Sequence, residues 1–110
     1  MPEELRLFHN PKCSKSRGCL QILQDRGIEA RIVRYLDEVP SRSELEWLWD
    51  RLGPAMLRPE AALKNAARAE VVTALLQNPA LIERPIVILG DRALVARPPE
   101  KVLDLLMERQ

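Results

Sequence analysis

Cysteine, histidine and aromatic side chains are scarce in this chain: two Cys, one His, one Phe, one Tyr and two Trp among 110 residues. A charge excess is missing too. Seventeen basic and sixteen acidic side chains leave a formal charge of +1, which gives no support for nucleic-acid or membrane binding across the whole surface. Any affinity for anions must come from a local cluster. No apolar run approaches membrane-spanning length. The start, Met1-Pro2-Glu3-Glu4, lacks the basic-then-apolar order of a secretory leader, so the expected location is the cytoplasm. In that reducing compartment two cysteines suggest redox or nucleophilic chemistry more than a structural disulfide. Repetitive and long polar tracts are also absent. With 46% hydrophobic and 30% charged residues, the length fits one ordered domain, residues 1–110.

Several elements can be read along the chain. Leu5 to His9 suits a short strand, and Ser14 to Arg26 a helix that Gly27 can end. Arg31 to Tyr35 reads as a second strand, parallel to the first through a right-handed crossover. Ser41-Arg42-Ser43-Glu44 fits a capping box opening a helix through Leu52, where Gly53 stops it. Pro59 to Ala69 and Val71 to Gln77 are helix-rich, with a break near Asn78-Pro79. Pro85 introduces Ile86-Val87-Ile88-Leu89, an apolar run of buried-strand character. Gly90-Asp91 forms a two-residue turn to a returning strand at Ala93 to Ala96. Pro98-Pro99 opens a last helix carrying Val102, Leu103, Leu105 and Leu106 on one face. Trp47 and Trp49 share a helix but not a face, and at least one should pack on the core. The order predicts an α/β fold: a four-stranded mixed sheet flanked by helices, with a helical insert between the second and third strands. This architecture is similar to that of thioredoxin-like proteins.

Cys13 carries the chemistry. Its position at the first strand–helix junction faces it with unpaired helix N–H groups and the positive end of the helix dipole, beside Lys12, Lys15 and Arg17. That setting favours the nucleophilic thiolate. Ser16 stands where a Cys-x-x-Cys motif would place the second thiol, which excludes a dithiol cycle within the motif. It can donate a hydrogen bond to the Cys13 sulfur or to a bound anion. His9 either holds Asn10 and the loop or sits near the thiolate and lowers its pKa. Asn10-Pro11 is turn scaffold. Cys19, six residues on, falls on a largely different helix face. It reads as a small buried hydrophobe, the alternative being a resolving thiol that needs the helix start to unwind. Arg58, Arg84 and Arg97 each precede a proline, which biases them to extended backbone at element edges. In a thioredoxin-like sheet the loop before the third strand passes the first helix's N-terminus, so Arg84 approaches Cys13. Guanidiniums converging there would bind a tetrahedral oxyanion. No metal-ligand set is assigned.

Three blocks then carry a resemblance along nearly the whole chain: His9-Asn10-Pro11-Lys12-Cys13-Ser14-Lys15-Ser16-Arg17, Asn78-Pro79-Ala80-Leu81-Ile82-Glu83-Arg84-Pro85-Ile86-Val87, and Ala96-Arg97-Pro98-Pro99-Glu100-Lys101-Val102-Leu103. The chain resembles the glutaredoxin-dependent arsenate reductases. The resemblance implies that Cys13 is the nucleophile, His9 its helper, and Arg58, Arg84 and Arg97 the oxyanion ligands. It further implies that Ser16 and Arg17 belong to the active-site loop, and that Pro85 is a cis-proline. Glutathione would be a co-substrate rather than a bound cofactor, glutaredoxin the protein partner, and arsenate or a similar oxyanion the substrate. One alternative is a thiol–disulfide oxidoreductase of the same fold acting on glutathionylated or other small thiol substrates. A second is a polymerase-binding regulator like the Spx proteins, against which Ser16 and His9-Asn10-Pro11 argue.

Overall fold

The computed structural model describes residues 4–63 and 65–107. Met1 to Glu3, from which the lack of a leader was read, lie outside them. Its elements are β1 (Leu5–Phe8), α1 (Ser14–Asp25), β2 (Arg31–Val33), α2 (Arg42–Leu52), α3 (Arg68–Gln77), β3 (Ile86–Leu89), β4 (Arg92–Val95) and α4 (Val102–Met107), joined in places by single 3-10 turns. The strands form one sheet in the order β2-β1-β3-β4. β1 runs parallel to β2 and antiparallel to β3, and β3 pairs antiparallel with β4. This is the expected four-stranded mixed sheet flanked by helices.

Period-2 alternation along β1 and β3 divides the apolar side chains between the two faces. Phe8, Ile86 and Ile88 join Leu45, Leu48, Val71, Val72 and Leu75 in the core under α2 and α3. Leu5, Leu7, Val87 and Leu89 join Cys19, Leu23, Val102 and Leu105 in the core under α1 and α4. β3 is therefore apolar at every position, as a strand covered on both faces must be. Gly90, first of the two residues between Leu89 and Arg92, has φ +62°, a backbone that glycine supplies without a Cβ clash.

The structure corrects three element readings. The second strand ends at Val33, because the Arg34 carbonyl accepts the N–H groups of Asp37 and Glu38 and turns the chain. Tyr35 thereby leaves the sheet and stacks on Phe8, ring centroids 6.3 Å apart. Second, the alanine-rich stretch from Pro59 is not a helix. One 3-10 turn, Pro59–Ala61, gives way to a left-handed Ala62 (φ 55°), and α3 starts only at Arg68. Tertiary pairing overrides propensity here: the Arg58 N–H is committed to the Leu81 carbonyl, beside an antiparallel bridge from Leu57 to Ile82. Third, the capping box is half-formed. Ser41 Oγ accepts the Glu44 N–H at 3.2 Å, but the Glu44 carboxylate pairs with Arg6 at 2.9 Å instead of reaching back.

Candidate active site

The loop from β1 into α1 is held by one sheet hydrogen bond and a set of local ones. His9 N–H continues the sheet to the Val33 carbonyl at 2.9 Å. Asn10 Oδ1 accepts the Lys12 N–H at 3.0 Å, and the Asn10 carbonyl accepts the Cys13 N–H at 2.9 Å. That double use of Asn10 delivers Cys13 to the N-cap of α1 in extended backbone, φ −96° and ψ 123°, with its carbonyl accepting the Arg17 N–H. The Arg17 guanidinium folds back onto the Pro11 carbonyl at 2.9 Å. Arg17 thus braces the loop from the solvent side.

Two opposing influences set the state of the sulfur. Partial burial pushes the Cys13 thiol up, but the Ser16 N–H, a hydrogen bond from the Arg84 guanidinium, the Lys15 N–H and the Arg84 charge together outweigh it, leaving the thiol below its ordinary value. Sγ closes no cap hydrogen bond of normal geometry, so the two amides act on it as helix-start N–H dipoles. Arg84 is held well charged in return, burial being opposed by its bond to Cys13. The expected approach of Arg84 to Cys13 is what the structure places there.

His9 and Ser16 take other parts than expected. Both are buried. Ser16 Oγ lies 2.6 Å from His9 Nδ1 and accepts the Asn10 N–H at 3.0 Å. The hydroxyl is therefore turned away from the sulfur and from any bound anion; it is the Ser16 amide that faces Sγ. With one donor and two acceptor sites, the Ser16 hydroxyl serves the Asn10 N–H and the His9 ring together. Burial first, then the charges of Arg34 and Arg17, lower the His9 pKa. The neutral ring pins the loop and does not depress the thiol by charge. Of the two readings of His9, the geometry favours the one in which it holds Asn10 and the loop.

The three arginines come together around one acid. The peptide before Pro85 is cis, as expected, and so is that before Pro98. Glu83 Oε1 accepts the Arg84 N–H at 3.2 Å and lies 3.7 Å from Arg97 NH1 and 4.0 Å from Arg58 NH1. Arg97 also donates to the Arg84 carbonyl at 2.9 Å, and Arg58 Nε pairs with Glu60 at 2.7 Å. The Leu57–Ile82 bridge aligns the two loops, with the Glu83 N–H on the Met56 carbonyl at 2.7 Å. Chemically, this is a helix N-terminus with a thiol held below its ordinary value, one guanidinium bonded to the sulfur, and two more gathered about Glu83 in the adjoining loop.

A model of the ArsC family matches residues 8–105. The chain belongs to the ArsC family. It is 40% identical to the arsenate reductase of Neisseria meningitidis serogroup A over 93% of this chain and 97% of that one. Identity to the arsenate reductase of Haemophilus influenzae is also 40%, over 91% and 97%. Among solved structures, the arsenate reductase from Vibrio cholerae superposes with a TM-score of 0.84 at 37% identity, covering 94% of this chain and 98% of that one. The thioredoxin-like architecture of ArsC proteins is thus the fold found here.

Within this ArsC-family frame, two residues were missed by sequence reasoning. Glu83 is one, its only sequence signal being an acid directly before Arg-Pro. Tyr35 was taken for strand; its hydroxyl is buried without a hydrogen-bond partner of normal geometry. Burial raises its pKa, and the charges of Arg84, Cys13 and Arg58 all act on it, which places it beneath the site. Cys19 is fully buried, its thiol pushed up to about 11 by that burial. It is a core residue rather than a poised resolving thiol. Among the described residues, no cluster of His, Cys, Asp or Glu is arranged to hold a metal, and no helix is long and apolar enough to cross a membrane.

Proposed function

We propose that this ArsC-family chain reduces arsenate to arsenite through a covalent intermediate on Cys13, drawing electrons from glutathione and glutaredoxin in the cytoplasm. The observation that carries the reading is Arg84, bonded to the Cys13 sulfur and joined through Glu83 to Arg58 and Arg97. A tetrahedral dianion set among those guanidiniums lies within reach of a thiolate that the same arginine keeps ionised. The relatives named arsenate reductases and the gathering of guanidiniums suited to a tetrahedral oxyanion support arsenate as substrate.

The Cys13 thiolate attacks arsenic, forming an S–As bond as one oxygen departs as water. A glutathione thiol replaces a second oxygen in the same way. A glutaredoxin thiolate then attacks the glutathione sulfur: a disulfide forms, the glutathione S–As bond breaks, and its electron pair takes As(V) to As(III). Water releases arsenite from Cys13 and restores the thiol. Ser16 in place of a second cysteine suits this route, because both electrons come from external thiols. His9 and Ser16 contribute by fixing the loop, Arg84 by binding both the sulfur and the anion.

The test is arsenite production by the purified protein with arsenate, glutathione and glutaredoxin. Formation that stops when glutaredoxin is omitted, and in Cys13→Ser, is the expected result. If no arsenite forms while a glutathionylated substrate is reduced equally fast by the wild type, Arg58→Ala and Arg97→Ala, the chain is a thiol–disulfide oxidoreductase instead.

A further inference from the structure

The least expected side chain in the pocket is an acid. A site collected for an anion gains nothing from a carboxylate at its centre, yet Glu83 is largely buried, its side chain 15% exposed. Its backbone N–H is tied to the Met56 carbonyl at 2.7 Å. Its Oε1 bonds the Arg84 N–H at 3.2 Å, but stands 3.7 Å from Arg97 NH1 and 4.0 Å from Arg58 NH1. Those last two distances lie beyond hydrogen bonding while well within Coulombic reach. The guanidiniums are attracted to Glu83 without their N–H groups being consumed by it. The Nε–H of Arg84, likewise, is buried with no partner. Arg97 NH1 gives one bond to the Arg84 carbonyl and Arg58 Nε one to Glu60, and the remaining guanidinium donors surround a charge already partly neutralised.

We infer that Glu83 is a built-in counter-charge that competes with the substrate anion and holds the pocket's anion affinity down. The inference rests on the oxyanion reading above and sharpens it. With the carboxylate present, three guanidiniums stay together in the empty site instead of repelling one another apart. Its second effect is on turnover. An arginine trio without a resident acid would bind phosphate, abundant wherever arsenate enters, tightly enough to remain occupied. Glu83 keeps the resting pocket open to exchange, and it re-pairs with Arg58 and Arg97 when the uncharged arsenite leaves. The role is a positioning and affinity-setting one, since Glu83 need not touch the reacting atoms.

Glu83→Gln tests this without changing side-chain shape, because the amide oxygen still accepts the Arg84 N–H. The probe is inorganic phosphate, its binding measured by calorimetry, alongside iodoacetamide titration of Cys13 without phosphate. Removing one facing charge should tighten phosphate binding by about three- to tenfold and move the Cys13 titration to lower pH. Glu83→Ala should change both in the same direction, which guards against a fault peculiar to glutamine. Phosphate affinity that is unchanged or weaker in folded Glu83→Gln, with the thiol titration unmoved, overturns the counter-charge role. If neither wild type nor variants bind phosphate while the thiol still titrates lower, the oxyanion reading fails and Glu83's action on the pocket field stands.

Discussion

Arg84 links the two halves of the site, since one guanidinium serves both the sulfur and the anion. Burial alone would raise the Cys13 thiol; Arg84 and the two helix-start amides reverse the sign. In Arg84→Ala the amides remain and the guanidinium goes, so the thiol should move back toward the ordinary range of ~8.5. Alkylation of Cys13 by iodoacetamide at pH 7 should then slow by about three- to tenfold, the loss in thiolate fraction. An unchanged rate across a pH series would show that the helix terminus alone ionises the sulfur. Much of this was legible in the residues: a thiol at a strand–helix junction and an arginine before the third strand meet in any sheet of this order. The direction of the Ser16 hydroxyl was not, because it depends on a rotamer chosen by His9, seven residues away. Nor was Glu83, since an acid beside arginines in a sequence reads like any surface pair until tertiary structure collects Arg58 and Arg97 around it.

The first helix presents the sulfur, and its far end shows why it stays in place. Gly27 has φ +66°, its N–H bonds the Gln24 carbonyl, and the Ile28 N–H bonds the Leu23 carbonyl at 2.9 Å. That pair of bonds is a Schellman stop built on a left-handed residue. Nothing lies within 4 Å of where a Cβ on Gly27 would sit, so Gly27→Ala meets no clash and isolates backbone cost. It should destabilise the protein by about 1 kcal/mol, lowering Tm by about 4–8 °C for a domain of this size. Cys13 alkylation at 25 °C should be unaffected. A Tm within a degree of the wild type would mean that the turn relaxes freely. Helix ends of this kind announce themselves through Gly27 and Ser41, whose roles are local. Pro59 to Ala69 did not, because alanine signals helix wherever it occurs, whereas the Leu57–Ile82 bridge that fixes the chain just before the segment joins residues 25 positions apart. Tyr35 was misassigned for a related reason: an aromatic residue after Ile32 and Val33 continues a strand pattern, and only the turn at Arg34 redirects it.

At the scale of the whole molecule, a sheet covered on both faces gives its two thiols opposite fates. Cys13 caps the start of α1 beyond the end of the interior strand β1, under positive charge; Cys19, six residues on, is sealed in the core with Leu7, Leu23 and Val87. Burial holds the Cys19 thiol up to about 11, while in the unfolded chain it titrates near ~8.5. Between those values the unfolded state has released a proton that the folded state still holds, so stability must fall with rising pH. The contribution is complete below the ordinary thiol range and is lost on the way to about 11, amounting to about 3 kcal/mol. Cys13 runs the other way, its lowered pKa favouring the fold at higher pH, but its partial exposure makes that effect small. Cys19→Ala separates the two. At pH 7.5 the variant should melt below the wild type, having lost a packed sulfur from an all-apolar surround. By pH 10 the gap should narrow or close, since only the wild type still pays for keeping that thiol protonated. Thermal unfolding of both proteins at the two pH values decides the matter: a gap that stays constant means that alkaline sensitivity arises elsewhere, and that the core beneath α1 is wetter than its packing requires.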